Sequence, residues 1–456
     1  MIHRFQQNGY NIIIDPNSGC VHHVDAAAYD VVGMYAEELG HIEVPIRIFQ
    51  KYPDMSEADV RELLADIDQL IDEGMLFSAP EGDFAASPPV NTLPTKALCL
   101  HIAHDCNFRC TYCFAGRGNY GDDERLMSLD VGKASIDWLV RNSGSIRNLD
   151  IDFFGGEPLM NFDVVREIVI YARSLEQTHN KRFRFTLTTN GVLIDDEVID
   201  FCTREMENVV LSLDGRREVN DRMRHPLGGG SAYDLILPKF RKMVDARGGK
   251  GYYIRGTYTR HNLDFVSDIV HMADAGFAEL SMEPAVTAPD CAESWALRSE
   301  DLPALLAQYD KLTEVMLERI EQNRDFTFYH YMIDLEGGPC LGKKVMGCGA
   351  GVTYLSVTPT GELYPCHRFV GLPEFQLGDV FGGVHRHDIT DKFARTNIFT
   401  KPECSDCWAR FLCSGGCHAN FFHTGGDIAA VDEFGCALIK KRIECALVIK
   451  AATEEE

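Results

Sequence analysis

The sequence predicts an α/β fold, a partial (β/α)6 barrel set between a small N-terminal domain and a cysteine-rich C-terminal one. Three observations carry the prediction. Six apolar segments of strand length alternate with helical stretches from Ala97 to about residue 285. The motif CNFRCTYCF, Cys106 to Phe114, follows the first of those segments and spaces its thiols Cys-x3-Cys-x2-Cys. Nine of the 16 cysteines crowd between Cys340 and Cys445.

At 456 residues the chain has room for two or three domains, and 45% hydrophobic with 25% charged residues is the balance of a soluble globular protein. No apolar run is long enough for a membrane helix, and the opening MIHRFQQNGY lacks a charged start followed by an apolar signal core. Both point to a cytoplasmic protein without a membrane partner. A formal charge of −25, spread along the chain, argues against a phosphate-tracking surface and so against nucleic acid. In a reducing compartment, 16 cysteines point to metal clusters in place of disulfides.

Residues 1–77 read as one small domain. YNIIIDPNSGCVHHVD gives two short strands around the turn PNSG. MSEADVRELLADIDQLIDEGMLF has a helical rhythm at Val60, Leu63, Leu64, Ile67, Leu70 and Ile71, with Ser56 placed to start the helix and Gly74 to stop it. A hairpin plus helices of this size is winged-helix-like. Residues 78–96, with four prolines and little periodicity, form a linker.

The barrel is expected over residues 97–310. Its strand segments are ALCLHIA, LDIDFFGG, FRFTLTTNG, NVVLSLDG, YYIRGTYT and AELSMEPA; helical stretches such as VGKASIDWLVRNS, VVREIVIYARSLEQ and DEVIDFCTREM lie between them. Strands alternating with helices pair in parallel through right-handed crossovers, and chemistry gathers at their C-terminal ends. The triple cysteine follows the first strand, and Gly155-Gly156-Glu157-Pro158 the second.

A helical stretch from Pro303 leads into the C-terminal domain, residues 311–456. There Cys348 is followed by Gly361 and Cys366, then by Cys404-x2-Cys407-x5-Cys413-x3-Cys417 and Cys436, with Cys340 just upstream. By spacing alone, Cys404 to Cys417 suits a structural zinc as well as an iron–sulfur cluster. Three thiolates on the barrel loop suit a centre whose fourth position is left open.

Together these motifs resemble the radical S-adenosylmethionine (SAM) superfamily. Cys106, Cys110 and Cys113, with Tyr112 before the last cysteine and Phe114 after it, resemble its cluster loop, and the C-terminal spacing resembles the SPASM extension. The resemblance implies three [4Fe–4S] clusters, one that binds SAM and two auxiliary. On the barrel loop one iron is left for the amino and carboxylate groups of SAM, and an electron from the cluster cleaves the sulfonium to methionine and a 5′-deoxyadenosyl radical. Gly155, Gly156 and Glu157 resemble the motif that meets the SAM amino group, with glycines that let the backbone approach the ligand. Tyr112 belongs to the same SAM-binding set; Asn190 and Ser212 occupy strand ends where related enzymes hold the ribose and carboxylate, and Arg255 is a candidate carboxylate partner. The family pairing gives Cys348, Cys366 and Cys417 to the first auxiliary cluster, with either Cys340 or a substrate thiolate as the fourth ligand. It gives Cys404, Cys407, Cys413 and Cys436 to the second. Cys20, Cys99, Cys202, Cys291 and Cys445 stay unassigned.

Longer stretches, MIHRFQQNGYNIIIDPNSG, ALCLHIAHDCNFRCTYCFA, GPCLGKKVMGCGAG and VTPTGELYPCHRFVG among them, are similar to the maturases of SCIFF peptides, short cysteine-rich precursors. That similarity implies thioether bonds between a precursor cysteine sulfur and a carbon of an acceptor residue, typically threonine. It makes residues 1–77 a recognition element that binds the precursor's leader as an added strand. A flavodoxin- or ferredoxin-type reductant is the implied electron source.

Two other readings stay open. Anaerobic sulfatase maturases, which form formylglycine, carry a catalytic Asp after the Gly-x4-Cys cysteine; His367 stands there in this chain, a neutral imidazole able to take a proton near pH 7. A non-enzymatic zinc regulator would favour DNA, and the barrel with its GGEP motif argues against it.

Overall fold

Asn8 and Gly9, with φ of 51° and 86°, turn β1 (His3–Gln7) onto β2 (Tyr10–Ile14), and β3 (Val21–Val24) completes an antiparallel sheet in the order β1-β2-β3. β1 is an addition to the two strands expected, and its signal was the Asn-Gly pair that favours tight hairpins. The computed structural model describes residues 2–37, 39, 43–79, 93–121, 124–333, 335 and 341–454; residues 80–92 of the expected linker, and Cys340, lie outside the described residues.

Three helices cover one face of this sheet: α1 (Ala26–Ala36), α2 (Glu43–Lys51) and α3 (Glu57–Asp72), the last begun by a capping box between Ser56 and Asp59. Ile13, Val31, Val44, Ile48, Val60 and Ile67 form the core between them. Asp15 is fully buried and accepts from Ser78 N (2.7 Å) and Ser78 Oγ (2.8 Å), which ties the end of the module back to its hairpin.

The central region runs β4 (Ala97–His104), β5 (Arg125–Leu126), α4 (Leu129–Asn142), β6 (Asn148–Gly155), α5 (Phe162–His179), β7 (Arg182–Thr189), α6 (Asp196–Glu205) and β8 (Asn208–Ser212). It continues with α7 (Arg217–Met223), α8 (Ala232–Ala246), β9 (Tyr252–Tyr258), α9 (Phe265–Asp274), β10 (Glu279–Pro284), α10 (Leu302–Glu321) and β11 (Thr327–Phe328). Strands pair in parallel in the order β11-β10-β9-β8-β7-β6-β4, so each expected strand segment enters one sheet. On β6 the buried residues Leu149, Ile151 and Phe153 alternate with the less buried Asp150, Asp152 and Phe154. The second row faces the concave side, as a period of two requires.

The C-terminal region holds α11 (Leu341–Met346), β12 (Tyr354–Val357), β13 (Glu362–Tyr364), β14 (Gly378–Asp379), β15 (Gly383–Val384), α12 (His387–Arg395), α13 (Pro402–Ser405), α14 (Arg410–Cys413), α15 (His418–Gly425) and α16 (Glu433–Glu454). β12 lies parallel to β4, with Ser356 opposite Cys99, and so continues the barrel sheet past what would be an open edge. The expected boundary at 310/311 falls inside α10, because sheet and helix run through it. α16 packs on α10 and beneath β1 and β2. There Ile12 and Ile14 share a core with Ala409, Ile443 and Leu447, and the His3 ring stacks on Trp408 at 3.8 Å. Among the described residues no helix is long and apolar enough to cross a membrane.

Candidate active site at the strand ends

Beyond β4 the chain enters the loop of Cys106, Cys110 and Cys113. A second segment lies alongside it: Arg109 N donates to His225 O (2.8 Å), Thr111 N to Met223 O (2.8 Å), and Leu227 N to Asn107 O (3.0 Å). A buried ion pair braces both. Asp214 takes Arg224 through both oxygens (2.9 and 3.0 Å) and accepts from Tyr112 Oη (2.6 Å), with Asp214 0% and Arg224 8% exposed. Tyr112, expected among the SAM contacts, spends its hydroxyl on anchoring the loop.

Burial pushes the thiols of Cys106 and Cys110 up to about 12. Three neutral thiols held together become thiolates only if a cationic centre takes them up. Glycines let the backbone close tightly on this loop. A Cβ at Gly118 would stand 2.6 Å from the Cβ of Cys106, one at Gly156 2.0 Å from Asp105 O, and one at Gly155 (φ +123°) 2.3 Å from Ala103 O. Thiol donors backed by a glycine cradle fit an iron–sulfur cluster with a ligand on its open iron.

Glu157 is 1% exposed and accepts from Asn190 N (2.8 Å), Thr189 Oγ1 (2.8 Å) and Leu159 N (3.0 Å). Burial raises its carboxyl to about 7 in spite of these donors. Asn190 Nδ2 donates to Asn107 Oδ1 (2.7 Å) and approaches Cys106 Sγ (3.7 Å), so the amide expected at the ribose is turned onto the cysteine loop. Ser212 stands opposite Arg255 of β9, and Arg255 opposite Ser281 of β10. The exposed Arg255 makes no close ion pair among the described residues, and its charge acts on the Glu283 carboxylate.

The far rim was not legible in the sequence. Arg442 of α16 donates to Glu283 Oε2 (3.1 and 3.2 Å) and to Tyr309 Oη (2.8 Å), and His330 Nε2 lies 3.1 Å from Ser281 Oγ. Burial alone would raise Glu283, but Arg442, His330 and Arg255 hold it down at about 2. A cavity of about 640 Å³ opens here, reaching from Glu283 and Arg442 to Cys417.

His367 sits 5.6 Å from the Phe114 ring and 5.0 Å from Phe154, and its Nδ1 is buried without a hydrogen-bond partner. Burial, with Arg368 and Arg255 nearby, pulls its imidazole down to about 3. The sequence alone allowed a ring that takes a proton near pH 7; this environment disfavours the imidazolium and suits a neutral hydrogen-bonding ring. Beside it the fully buried His101 contacts His104 (3.1 Å), and both rings lie on Tyr120.

Cys417 stands close enough to raise the thiols of Cys348 and Cys366, beyond the larger effect of their burial. Cys404, Cys407, Cys413 and Cys436 form a second group of the same kind. Among the described residues no three Cys, His, Asp or Glu side chains converge tightly enough to hold a single metal ion. Of the unassigned thiols, Cys99, Cys202 and Cys445 are buried, while Cys20 and Cys291 are partly exposed. In the N-terminal module a groove of about 260 Å³ runs between β3 and α3, lined by Ile13, His22, Val24, Leu63, Ile67 and Leu70.

The Radical SAM superfamily model matches residues 100–259. The chain is 26% identical over 361 residues to the mycofactocin maturase MftC of Mycolicibacterium smegmatis, across 76% of this chain and 86% of that one. It is similar in fold to native anSMEcpe with bound AdoMet, with a TM-score of 0.65 and 19% identity over 80% of this chain and 100% of the other. Streptococcus suis SuiB, solved bound to the precursor peptide SuiA, gives a TM-score of 0.52 and 17% identity over 95% and 98% of the two chains.

Proposed function

From the premise that this chain carries a radical SAM domain, we propose that it is a peptide maturase. The reaction we assign is thioether formation between a cysteine sulfur of a precursor peptide and a carbon of an acceptor residue, typically threonine. The observation that carries a peptide substrate is the groove beside β3. That strand pairs only with β2 among the described residues, and its free edge borders the apolar groove. A leader laid along it gains backbone hydrogen bonds and lodges alternate side chains against Leu63, Ile67 and Leu70. The likeness to a maturase such as MftC supports the same reading.

In the barrel, Cys106, Cys110 and Cys113 would hold a [4Fe–4S] cluster whose bound SAM supplies a carbon radical able to take hydrogen from carbon. The chain's own contributions are positional. Asp214 and Arg224 fix Tyr112 and with it the cysteine loop. Gly155 and Gly156 let the end of β6 close against Ala103 and Asp105 beside the loop, and Ser212 with Arg255 would receive the ligand's carboxylate. Phe114, Phe154 and His367 bring rings together between the barrel loop and Cys366. Cys348, Cys366 and Cys417, with Cys340 or a substrate thiolate as fourth, would hold one auxiliary cluster; Cys404, Cys407, Cys413 and Cys436 would hold the other. What those clusters supply is an acceptor for the electron released when the C–S bond closes, with outward exchange to a flavodoxin- or ferredoxin-type partner.

The test is anaerobic reconstitution, with iron and zinc assayed per chain. SAM, reductant and a cysteine-rich precursor peptide are then added. About twelve irons, four per cubane, with 5′-deoxyadenosine and a peptide two hydrogens lighter per ring, is the expected result. An aldehyde in the product would point to formylglycine chemistry instead. Zinc without iron and without SAM cleavage would end the enzyme reading.

A further inference from the structure

Lys401, in the turn between α12 and α13, is 1% exposed. Its ammonium donates to Gly415 O (3.1 Å) and lies 4.3 Å from the centroid of the Phe421 ring. Among the described residues it has no carboxylate partner. Asp427, a carboxylate within its electrostatic reach, is itself paired with Lys392 at 2.7 Å. The titratable groups facing Lys401 are otherwise thiols, those of Cys404, Cys413 and Cys436 from one cysteine group and Cys417 from the other, together with the buried His418.

A buried ammonium with one carbonyl and one aromatic face is a costly arrangement unless an anion stands nearby. Gly415 marks where that anion belongs. It lies in the short link between Cys413 and Cys417, where consecutive cysteines pass from one group to the other. Ser414, Gly415 and Gly416 all take left-handed backbone there, at φ 58°, 82° and 73°. A Cβ at Gly416 would come within 2.5 Å of the Phe421 ring, so Phe421, and the ammonium above it, are seated against that link. The lysine is therefore built into the junction of the two groups.

We propose that Lys401 is the resident counter-ion of the two auxiliary clusters and raises the midpoint potential of the one held by Cys404, Cys407, Cys413 and Cys436. This rests on the reading that both cysteine groups hold [4Fe–4S] clusters. A cubane with four thiolates is anionic, and more so when reduced, so a fixed positive charge beside it favours the reduced form. Lys401 also adjoins the second group directly, its carbonyl accepting from Cys404 N (3.0 Å), so that group's potential rises more than that of the first.

The experiment is an anaerobic redox titration, followed by electron paramagnetic resonance, on the full-length iron-loaded protein without peptide. It compares wild type, Lys401→Met and Lys401→Arg, with iron counted in each. The expected result is iron retained in the Met variant, a lowered midpoint for the second auxiliary signal, and a near-normal midpoint with Arg. An unchanged midpoint in an iron-replete Met variant overturns the counter-ion. If Met loses iron at the second group, the Arg variant decides: iron retained supports the charge, and iron lost again overturns it. A wild type with no auxiliary signals and no iron beyond the barrel cluster overturns the cluster reading itself, and the counter-ion with it, before any variant is made.

Discussion

Phe114 meets His367 with ring centroids 5.6 Å apart and planes tilted by 58°. One residue follows Cys113 on the barrel loop and the other follows Cys366 of the C-terminal region, so two cysteine-bearing loops distant in sequence touch through a pair of rings. Arg368 adds a cationic contact to Phe114 at 5.3 Å. The contact leaves His367 enclosed, and enclosure decides what its imidazole can do.

His367→Gln keeps a neutral hydrogen-bonding side chain at that contact. Product formation on the precursor should fall by less than about tenfold, because an imidazole held at about 3 is not serving as the base. Removing a working general base costs roughly 10²–10⁴-fold, and a loss of that size would restore the catalytic role. Single-turnover product yield between pH 6 and 8 is the readout, and the wild-type profile should show no step from this ring.

Asp214→Asn strands Arg224 in the interior. Breaking one partner out of a buried pair costs about 3–5 kcal/mol, and here it also unseats Tyr112. Lower thermal stability and iron lost from the barrel loop should appear together. Tyr112→Phe removes a single hydrogen bond and should cost only about 1 kcal/mol.

Glu157 gives the metal-free protein a pH dependence of known sign. Its carboxyl rises from 4.5 to about 7 on folding, so the stability it lends is complete below pH 4.5 and is lost as pH climbs through 7. A gap of that width corresponds to about 3 kcal/mol. Urea unfolding of the metal-free protein at several pH values should show this decline, and Glu157→Gln should flatten it. An equal decline in both proteins would assign it to other groups.

Leu63→Asp puts a charge in the groove beside β3. Precursor binding, followed by fluorescence anisotropy, should weaken at least tenfold, about 1.4 kcal/mol, while peptide-independent SAM cleavage stays at the wild-type rate. Equal binding by both proteins would move the leader elsewhere.

What the sequence could reveal follows from how local each signal is. The strand of Ala97–His104 is mostly apolar, broken only by His101 and His104, and Cys106, Cys110 and Cys113 are three thiols on one loop, so both could be read directly. Asn190 could be placed at a strand end, but not the turn of its amide toward Asn107. Asp214 with Arg224, and Glu283 with Arg442, are ordinary charged residues until the fold excludes water around them. The entry of β12 beside β4 was equally hidden, since its four residues carry no mark of their partner. Asn8-Gly9 is the opposite case, a local signal that was there to be read.

The sheet of the N-terminal module rests one face on its own helices and the other on α16, through Ile12 and Ile14 against Ile443 and Leu447. During synthesis the two sides of that second contact emerge roughly twenty to ninety seconds apart, at the usual 5–20 residues per second. For that interval the N-terminal module is half-packed, with a bare apolar underside. The first segment made therefore gains its final packing only when α16 emerges.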